Sequence, residues 1–270
     1  MRTLPGYIIN GEIQKGGCTP HDVELKQFFC RIGSKRPIVK QLLELIPPHC
    51  TYIEPFVGGG SVYWAKRPAK KSVINDLDKN LIKGYKLLKS FSKNESPDKF
   101  PIMNTTQSIQ KLVDKQNPNK YEELLGYLYQ SCNTFGNTGM TGKIYTEHNQ
   151  VNKISKISDY ISKIKNTVIL SVDYKKVVKK YDSHNSFFFL DPPYENSDKL
   201  YYEDSIDYEE MSIMLSNIDG KFMLTINDSP RIRKIFNNFN IRKIQVPPGG
   251  SHTKLKIGGK FRNELIITNY

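Results

Sequence analysis

The chain has 270 residues, a formal net charge of +13 at pH 7 and four widely spaced cysteines at positions 18, 30, 50 and 132, so it can bury one sizeable core, or one core with an inserted lobe. It has no run near the roughly 20 apolar residues of a membrane helix and no start like that of a signal peptide. It also has no Cys-x-x-Cys pair. These features predict an intracellular protein with reduced thiols and without a metal site. The basic excess favours a polyanionic partner, nucleic acid first, although lysine enrichment in a compositionally biased genome would also produce it.

The N-terminal part of the chain predicts a turn, a helix and a first strand. Residues 1–27 give only a weak pattern, and the sequence assigns them no role. A turn at residues 28–35 leads into a helix, because Pro37 suits a first helical turn and apolar residues recur at helical spacing until Pro47. Residues 51–56 then read as a strand that enters a tight glycine loop.

The unit of strand, glycine loop and helix over residues 51–65 is typical of the entrance to a doubly wound nucleotide-binding sheet. Its glycines let a ligand approach the backbone, and the N terminus of the following helix offers unpaired donors. The loop is neither Gly-x-Gly-x-x-Gly nor a phosphate loop, which argues against a dinucleotide or a nucleoside triphosphate. A second strand ends at Asp76, where an acidic residue is well placed to accept hydrogen bonds from ribose hydroxyls. Either Asp76 or Asp78 would alternatively cap a helix over residues 77–88.

Residues 90–165 interrupt this alternation of strands and helices. They are rich in Asn, Lys, Ser and Gln, with amphipathic stretches at 109–113 and 121–129 and a glycine-rich segment at 133–143. Their size and their basic, aromatic content favour an inserted recognition lobe over a long solvated loop with two surface helices.

The sheet is predicted to resume at residues 167–172 and to continue with a buried strand at residues 186–190. A helix over residues 207–218 and three more strands, at 221–226, 241–246 and 264–269, complete the pattern. The basic loop at residues 247–260 suits contacts with phosphates, and an ordinary solvated loop is the alternative.

Four residues, Asp191-Pro192-Pro193-Tyr194, follow the buried strand at 186–190. Two successive prolines lack backbone donors and fix the path of the chain, which leaves carbonyls free. A carboxylate, free carbonyls and an aromatic ring suit a planar base with an exocyclic amine. The amine would donate to Asp191 and to the Pro192 carbonyl, and the base would stack on Tyr194. Taken alone, the same four residues also fit an ordinary turn at the end of a strand.

Several motifs occur in a definite order along the chain: Phe28-Phe29-Cys30-Arg31-Ile32-Gly33-Ser34-Lys35, Glu54-Pro55-Phe56-Val57-Gly58-Gly59-Gly60-Ser61-Val62, Asn75-Asp76, Asp191-Pro192-Pro193-Tyr194 and the C-terminal Phe261-Arg262-Asn263-Glu264-Leu265-Ile266-Ile267-Thr268-Asn269-Tyr270. Together they resemble the Dam-type family of adenine-N6 DNA methyltransferases. The resemblance implies an α/β fold with a doubly wound, mostly parallel, Rossmann-like methyltransferase sheet. Residues 1–89 and 166–270 would form this catalytic domain, and residues 90–165 an inserted, mainly helical DNA target-recognition lobe.

The resemblance also implies the reaction, in which a methyl group moves from S-adenosylmethionine to N6 of an adenine flipped out of duplex DNA. The implied catalytic residues are Asp191, Pro192, Pro193 and Tyr194. The implied cofactor-binding residues are Arg31, Lys35, Glu54, Phe56, Gly58, Gly60, Asp76, Asp173, Tyr174 and Asp191. The implied DNA contacts are Asn133, Asn137, Lys143, Lys254, Lys256, Lys260 and Arg262.

Individual roles follow from the same resemblance. Residues 54–60 would surround the methionine part of the cofactor and Asp76 its ribose, while Asp173 would face its adenine amine and Tyr174 pack on its ring. A helix cap and a core position are the plain alternatives for the last two. Lys35 would reach the methionine carboxylate or order the site. Residues 138–141 depart from the Dam branch, which argues against its target sequence, GATC.

Three alternative functions stay open. Related sites with this motif accept RNA adenine or protein glutamine, a non-catalytic DNA-binding module would use the same fold, and an oxidoreductase is disfavoured by the glycine spacing. The expected partner is double-stranded DNA, with no membrane and no metal. A restriction endonuclease acting as a separate protein is compatible with the resemblance, and the sequence defines neither this partner nor the oligomeric state.

Overall fold

The computed structural model describes residues 7–9, 12–14, 25–134, 143–148, 150–194, 206–247 and 261–270. Within these ranges the strands are β1 (Tyr7–Ile9), β2 (Glu12–Gln14), β3 (Thr51–Glu54), β4 (Lys71–Asn75), β5 (Val168–Leu170), β6 (Ser186–Leu190), β7 (Lys221–Asn227), β8 (Asn240–Val246) and β9 (Arg262–Thr268). The helices are α1 (Val39–Leu45), α2 (Ser61–Ala65), α3 (Lys79–Ser90), α4 (Thr106–Val113), α5 (Lys120–Asn133), α6 (Val151–Ile154), α7 (Ile157–Ile164), α8 (Tyr174–Tyr181), α9 (Tyr208–Ser216) and α10 (Pro230–Ile235).

Seven of the strands form one sheet in the order β5-β4-β3-β6-β7-β9-β8. The first five are parallel, and β9 runs antiparallel to both of its neighbours. Every residue of β6 is buried, as expected for a central parallel strand that is covered on both faces. The predicted doubly wound, mostly parallel sheet is confirmed. Its strand order reverses between β3 and β6, and such a reversal is where open α/β sheets bind ligands at the carboxyl ends of their strands.

One face of the sheet is covered by an aromatic core to which the inserted segment contributes. The ring of Tyr160, on α7, lies 4.8 Å from that of Phe28 and 5.0 Å from that of Trp64. All three side chains are almost fully buried, and burying a side chain of this size contributes about 1.5–3 kcal/mol. The helices of the insertion therefore pack on the same core as the sheet, and α8, α9 and α10 supply the core of the opposite face.

The segment predicted to be an inserted lobe lies between β4 and β5, and its described part is mainly helical. Reciprocal capping bonds start two of its helices: Thr105 with Ser108 at α4, and Asn119 with Glu122 at α5. Such pairs satisfy backbone donors that a helix start leaves free. Both helices begin before the amphipathic stretches at 109–113 and 121–129.

Cys30 and Cys132 form a disulfide between the N-terminal motif and the inserted segment. Their Cα atoms lie 4.8 Å apart, although 102 positions separate them in the sequence. The expectation of reduced thiols is therefore wrong for this pair, because spacing along the chain does not reveal which cysteines a fold brings within bonding reach. Cys50 is a free thiol, and Cys18 lies outside the described residues. No helix in the described part of the chain combines the length and apolar composition needed to cross a membrane.

Candidate active site

The loops that follow β3, β4 and β6 line a cavity of about 810 Å³ at the carboxyl edge of the sheet. Its volume suits a small-molecule ligand. The first of these loops holds the predicted glycines, the second holds Asp76, and the third holds the Asp-Pro-Pro-Tyr motif. Parallel strands bring these three segments to one edge, although the sequence separates them widely. Most of the predicted cofactor residues line the cavity: Arg31, Lys35, Glu54, Phe56, Gly58, Gly60, Asp76 and Asp191.

The glycine loop needs its glycines for conformation and for space. Gly58 and Gly60 adopt φ values of +46° and +70°, which side-chain-bearing residues rarely adopt. A Cβ atom on Gly59 would lie 2.6 Å from the Phe29 carbonyl oxygen. Tyr85 further fixes the loop by donating a 2.9 Å hydrogen bond to the Gly58 carbonyl. The backbone is thereby held where a ligand can approach it closely.

Asp76 supports the glycine loop from inside the cavity wall. Its buried carboxylate accepts hydrogen bonds from the Gly58 and Asp78 amides, at 2.9 and 3.0 Å. Burial raises the pKa of Asp76, and the two amides and the nearby Arg31 oppose that rise. Asp78 caps α3 and forms an ion pair with Arg31. Of the two aspartates considered as helix caps, Asp78 is thus the one that serves, and Asp76 remains on the cavity.

Glu54 places a buried carboxyl group at the end of β3. Its Oε2 accepts a 2.7 Å hydrogen bond from the Tyr52 hydroxyl. Burial raises the pKa of Glu54 to about 8, with a smaller contribution from the charge of Asp191. A carboxyl group in this state readily becomes charged when a cation binds beside it.

Asp191 is held through one of its two carboxylate oxygens. Its Oδ1 lies 2.6 Å from the Lys35 ammonium and accepts a 2.9 Å hydrogen bond from the Thr225 hydroxyl. No described residue donates to Oδ2, and the side chain is 20% exposed at the cavity. Burial raises the pKa of Asp191, while Lys35 favours its charged form. The carboxylate is therefore oriented with a second oxygen left for a ligand.

The other residues of the motif, Pro192, Pro193 and Tyr194, also line this cavity. Tyr194 donates a 2.7 Å hydrogen bond to Glu264, and the Lys35 nitrogen lies 4.9 Å from its ring centre. The expectation of free carbonyls needs correction at Pro193, whose oxygen accepts a hydrogen bond from the Tyr208 hydroxyl. The Pro192 carbonyl receives no hydrogen bond from the described part of the chain, so an acceptor remains there.

Asp173 and Tyr174 lie beside the cavity rather than in its wall. The Asp173 side chain caps α8 by accepting a 2.7 Å hydrogen bond from the Lys175 amide. Tyr174 is buried, and its ring lies 5.0 Å from that of Phe56, which does face the cavity. Tyr174 can thus support a cavity residue, while its contact with a cofactor ring stays a prediction.

The predicted DNA contacts fall into three groups. Arg262 is exposed at the cavity wall, and Lys143 is exposed near Tyr145. Asn133 is fully buried, and its amide bonds to Thr146, His148 and Gln150 within the protein, which suits structural support rather than contact with DNA. The remaining predicted contacts lie outside the described residues: Asn137, Lys254, Lys256 and Lys260.

Two residues that the sequence assigned to no role belong to this site. Thr225 holds Asp191, and Glu264 holds Tyr194. Glu264 carried a signal, because it is an acidic residue directly before the apolar Leu265-Ile266-Ile267 run of a predicted buried strand. Thr225 carried none, because its partner depends on the pairing of β6 with β7.

Comparisons with known proteins show the family to which the chain is similar. A family model described as D12 class N6 adenine-specific DNA methyltransferase matches residues 32–246. The type II methyltransferase M1.LlaDCHI of Lactococcus lactis subsp. cremoris is 25% identical, over 92% of this chain and 96% of its own. M.MjaIII of Methanocaldococcus jannaschii is 26% identical, over 92% and 100%. M.CviBI of Paramecium bursaria Chlorella virus NC1A is 24% identical, over 77% and 85%.

Among solved structures, the chain is similar to a putative RNA methyltransferase from Pyrococcus horikoshii. The match has a TM-score of 0.40 and 9% identity, and it covers 92% of this chain and 89% of the other.

Proposed function

The chain belongs to the D12 class of N6 adenine-specific DNA methyltransferases, and we propose that its cavity holds S-adenosylmethionine next to a flipped adenine of duplex DNA. The protein is thus an adenine-specific DNA methyltransferase. The proposal adds which residues hold each ligand and how they promote transfer.

The observation that carries the proposal is the orientation of Asp191. Lys35 and Thr225 both contact Oδ1, so Oδ2 is the oxygen offered to a ligand. The Pro192 carbonyl provides a second acceptor in the same motif. An exocyclic amine has two hydrogens to donate, and these two acceptors match them. Tyr194 provides an aromatic face on which the extruded base can replace its lost stacking.

The other part of the cavity suits the cofactor. Its volume, its close glycine backbone and its acidic groups fit a cationic nucleoside such as S-adenosylmethionine. Glu54 would face the positively charged methionine part, and Asp76 would lie near the ribose. Gly58 and Gly60 would let the cofactor approach the backbone. Asp173 and Tyr174 are proposed for the adenine end, where Tyr174 would act through Phe56.

Transfer requires the amine and the methyl group to be aligned without water between them. The sulfonium of bound S-adenosylmethionine would supply an electrophilic methyl group. Acceptance of the amine hydrogens by Asp191 and Pro192 would localise the nitrogen lone pair and stabilise the positive charge that develops during transfer. The N6 proton can leave after transfer, so the site needs no general base at the outset.

DNA would approach on the side of the cavity where Arg262 is exposed. Arg262 and Lys143, with basic residues outside the described ranges, are proposed to contact phosphates, and such contacts position DNA without reading its sequence. The inserted segment is proposed as the recognition lobe.

The proposal is tested by offering labelled S-adenosylmethionine with unmethylated genomic DNA, with RNA and with a glutamine-containing peptide in parallel. We expect label only in DNA, as N6-methyladenine after nucleoside analysis, and none with the Asp191→Ala variant. Label in RNA or peptide but not in DNA would contradict the proposed substrate. Equal DNA methylation by the variant would contradict the assigned site.

A further inference from the structure

Glu264 is a charged residue in a place where a strand would ordinarily be apolar. It begins the buried part of β9, and only 4% of its side chain is exposed. Removing a carboxylate from water costs several kcal/mol unless partners compensate. Its partners in the described structure are the Tyr194 hydroxyl at 2.7 Å and the Lys35 ammonium at 3.8 Å.

These partners connect Glu264 to both working parts of the Asp-Pro-Pro-Tyr motif. Lys35 lies between two carboxylates, 2.6 Å from Asp191 and 3.8 Å from Glu264, and it also donates to the Gly33 carbonyl at 3.0 Å. A single cation is therefore shared by the residue that would accept the adenine amine and by the residue that anchors Tyr194. A substitution at Glu264 therefore alters the surroundings of both Asp191 and Tyr194.

We infer that Glu264 is a positioning residue for methyl transfer, which fixes the Tyr194 ring and shares the charge of Lys35 with Asp191. The inference rests on the proposed function of Asp191 and Tyr194. The bond from the Tyr194 hydroxyl sets the tilt of the ring on which the base would stack. The negative charge of Glu264 offsets part of the positive charge of Lys35. Asp191 is therefore a stronger hydrogen-bond acceptor than it would be as the sole partner of that cation.

The inference predicts a specific change in pH dependence. The charged groups that act on Asp191 are Lys35 from the N-terminal motif and Glu264 from β9. Two further titratable groups lie near it, Glu54 from β3 and Tyr194, and burial raises the pKa of both. The charge of Glu264 contributes to the raised pKa of Asp191. Removal of this charge favours ionised Asp191. The acidic limb of the pH profile, where kcat/KM falls as Asp191 becomes protonated, must therefore move to lower pH. A residue that only stabilised the fold would not move this limb.

The test compares Glu264→Gln with the natural protein and with Glu95→Gln. Glu95 is a matched control, because it is also buried and also accepts from a tyrosine hydroxyl, that of Tyr121 at 3.0 Å, and from a lysine, Lys99 at 2.8 Å, outside the cavity. For Glu264→Gln we expect kcat on DNA to fall about 10- to 100-fold. KM for S-adenosylmethionine should change less than about threefold, and the acidic limb should shift downward. Glu95→Gln should leave the limb unmoved, because its carboxyl group lies outside the cavity that holds Asp191.

A second variant keeps the inference testable if Glu264→Gln does not fold. Tyr194→Phe retains the ring and removes only the hydroxyl that bonds Glu264, and we expect kcat to fall about 3- to 10-fold, as for one lost hydrogen bond. Natural kcat in Tyr194→Phe, or natural kcat with an unmoved acidic limb in Glu264→Gln, would overturn the inference. Failure of the proposed function is distinguishable, because the natural protein itself would then transfer no methyl group to DNA.

Discussion

The ammonium nitrogen of Lys35 lies 2.6 Å from Oδ1 of Asp191. This contact joins the N-terminal motif to the end of the central strand β6, and Thr225 donates to the same oxygen from β7. Three separate segments thus determine which oxygen of Asp191 faces the cavity. The orientation of one carboxylate is therefore a property of the whole sheet edge.

Replacement of Lys35 by methionine should weaken transfer and shift its pH dependence upward. Burial raises the pKa of Asp191, and Lys35 opposes that rise. Without the cation the protonated form is favoured further, so the acidic limb of kcat/KM should move to higher pH, opposite to the shift expected for Glu264→Gln. Activity at pH 7 should fall about 10-fold or more. Lys86→Met, on the exposed face of α3, serves as the control, and an unmoved limb in Lys35→Met would exclude the proposed coupling.

Replacement of Thr225 by valine should reduce the rate with little effect on folding. The two side chains have nearly the same shape, and the change removes the 2.9 Å hydrogen bond to Asp191. A hydrogen bond to a charged group contributes about 1.5–3 kcal/mol, which corresponds to a loss of about 10- to 100-fold in kcat. Steady-state kinetics measure the loss, and the affinity for S-adenosylmethionine should persist. A natural kcat would mean that Lys35 alone orients Asp191.

Binding of S-adenosylmethionine at pH 7 should release a proton from Glu54. In the free protein burial raises the pKa of Glu54 to about 8, so its carboxyl group is mainly protonated at pH 7. A cation bound beside it favours the charged form and lowers that pKa. Calorimetry in buffers of different ionisation enthalpy measures the release, and the apparent binding enthalpy should depend on the buffer. The dependence should vanish in Glu54→Gln; an equal dependence in the variant would assign the proton to another group.

Replacement of Gly59 by alanine should impair cofactor binding. The added Cβ would lie 2.6 Å from the Phe29 carbonyl, so the loop or the N-terminal motif must move. We expect Kd for S-adenosylmethionine to rise about 10-fold or more, since a misplaced loop loses its close backbone contacts. Gly126→Ala is the matched control, because no atom beyond its chain neighbours and the backbone of α5 lies within 4 Å of its added Cβ, and it should raise stability by about 0.5–1 kcal/mol. Equal affinity in both variants would show that the glycine loop does not contact the cofactor.

The sequence predicted the sheet because the fold is encoded by local patterns. The apolar run of β6 is recognisable as a buried strand without knowledge of its neighbouring strands. The glycine loop and the Asp-Pro-Pro-Tyr motif indicate the edge of the sheet at which the site is proposed. Residues whose role depends on tertiary pairing were missed or assigned differently. Thr225 and Glu264 act through strands that only the folded sheet brings near Asp191 and Tyr194.

Three further differences have the same physical origin. Asn133 looked like a DNA contact in a polar segment, and the fold buries its amide, which bonds to Thr146, His148 and Gln150. The Pro193 carbonyl looked free, and a tyrosine from α9 bonds it. Cys30 and Cys132 looked like separate thiols, and the packing of the insertion joins them. In each case the partner lies at least 13 positions away in the sequence, and local sequence patterns do not reveal it.

The most direct test of the central claim is the rate of N6-methyladenine formation in unmethylated duplex DNA by the Asp191→Asn variant. Lys35 and Thr225 should bind the amide oxygen and leave its NH₂ group facing the adenine amine, so that a donor meets a donor. We predict a loss of at least about 100-fold in transfer, with S-adenosylmethionine binding retained. Transfer at the natural rate would contradict the role of Asp191 as the acceptor that activates adenine.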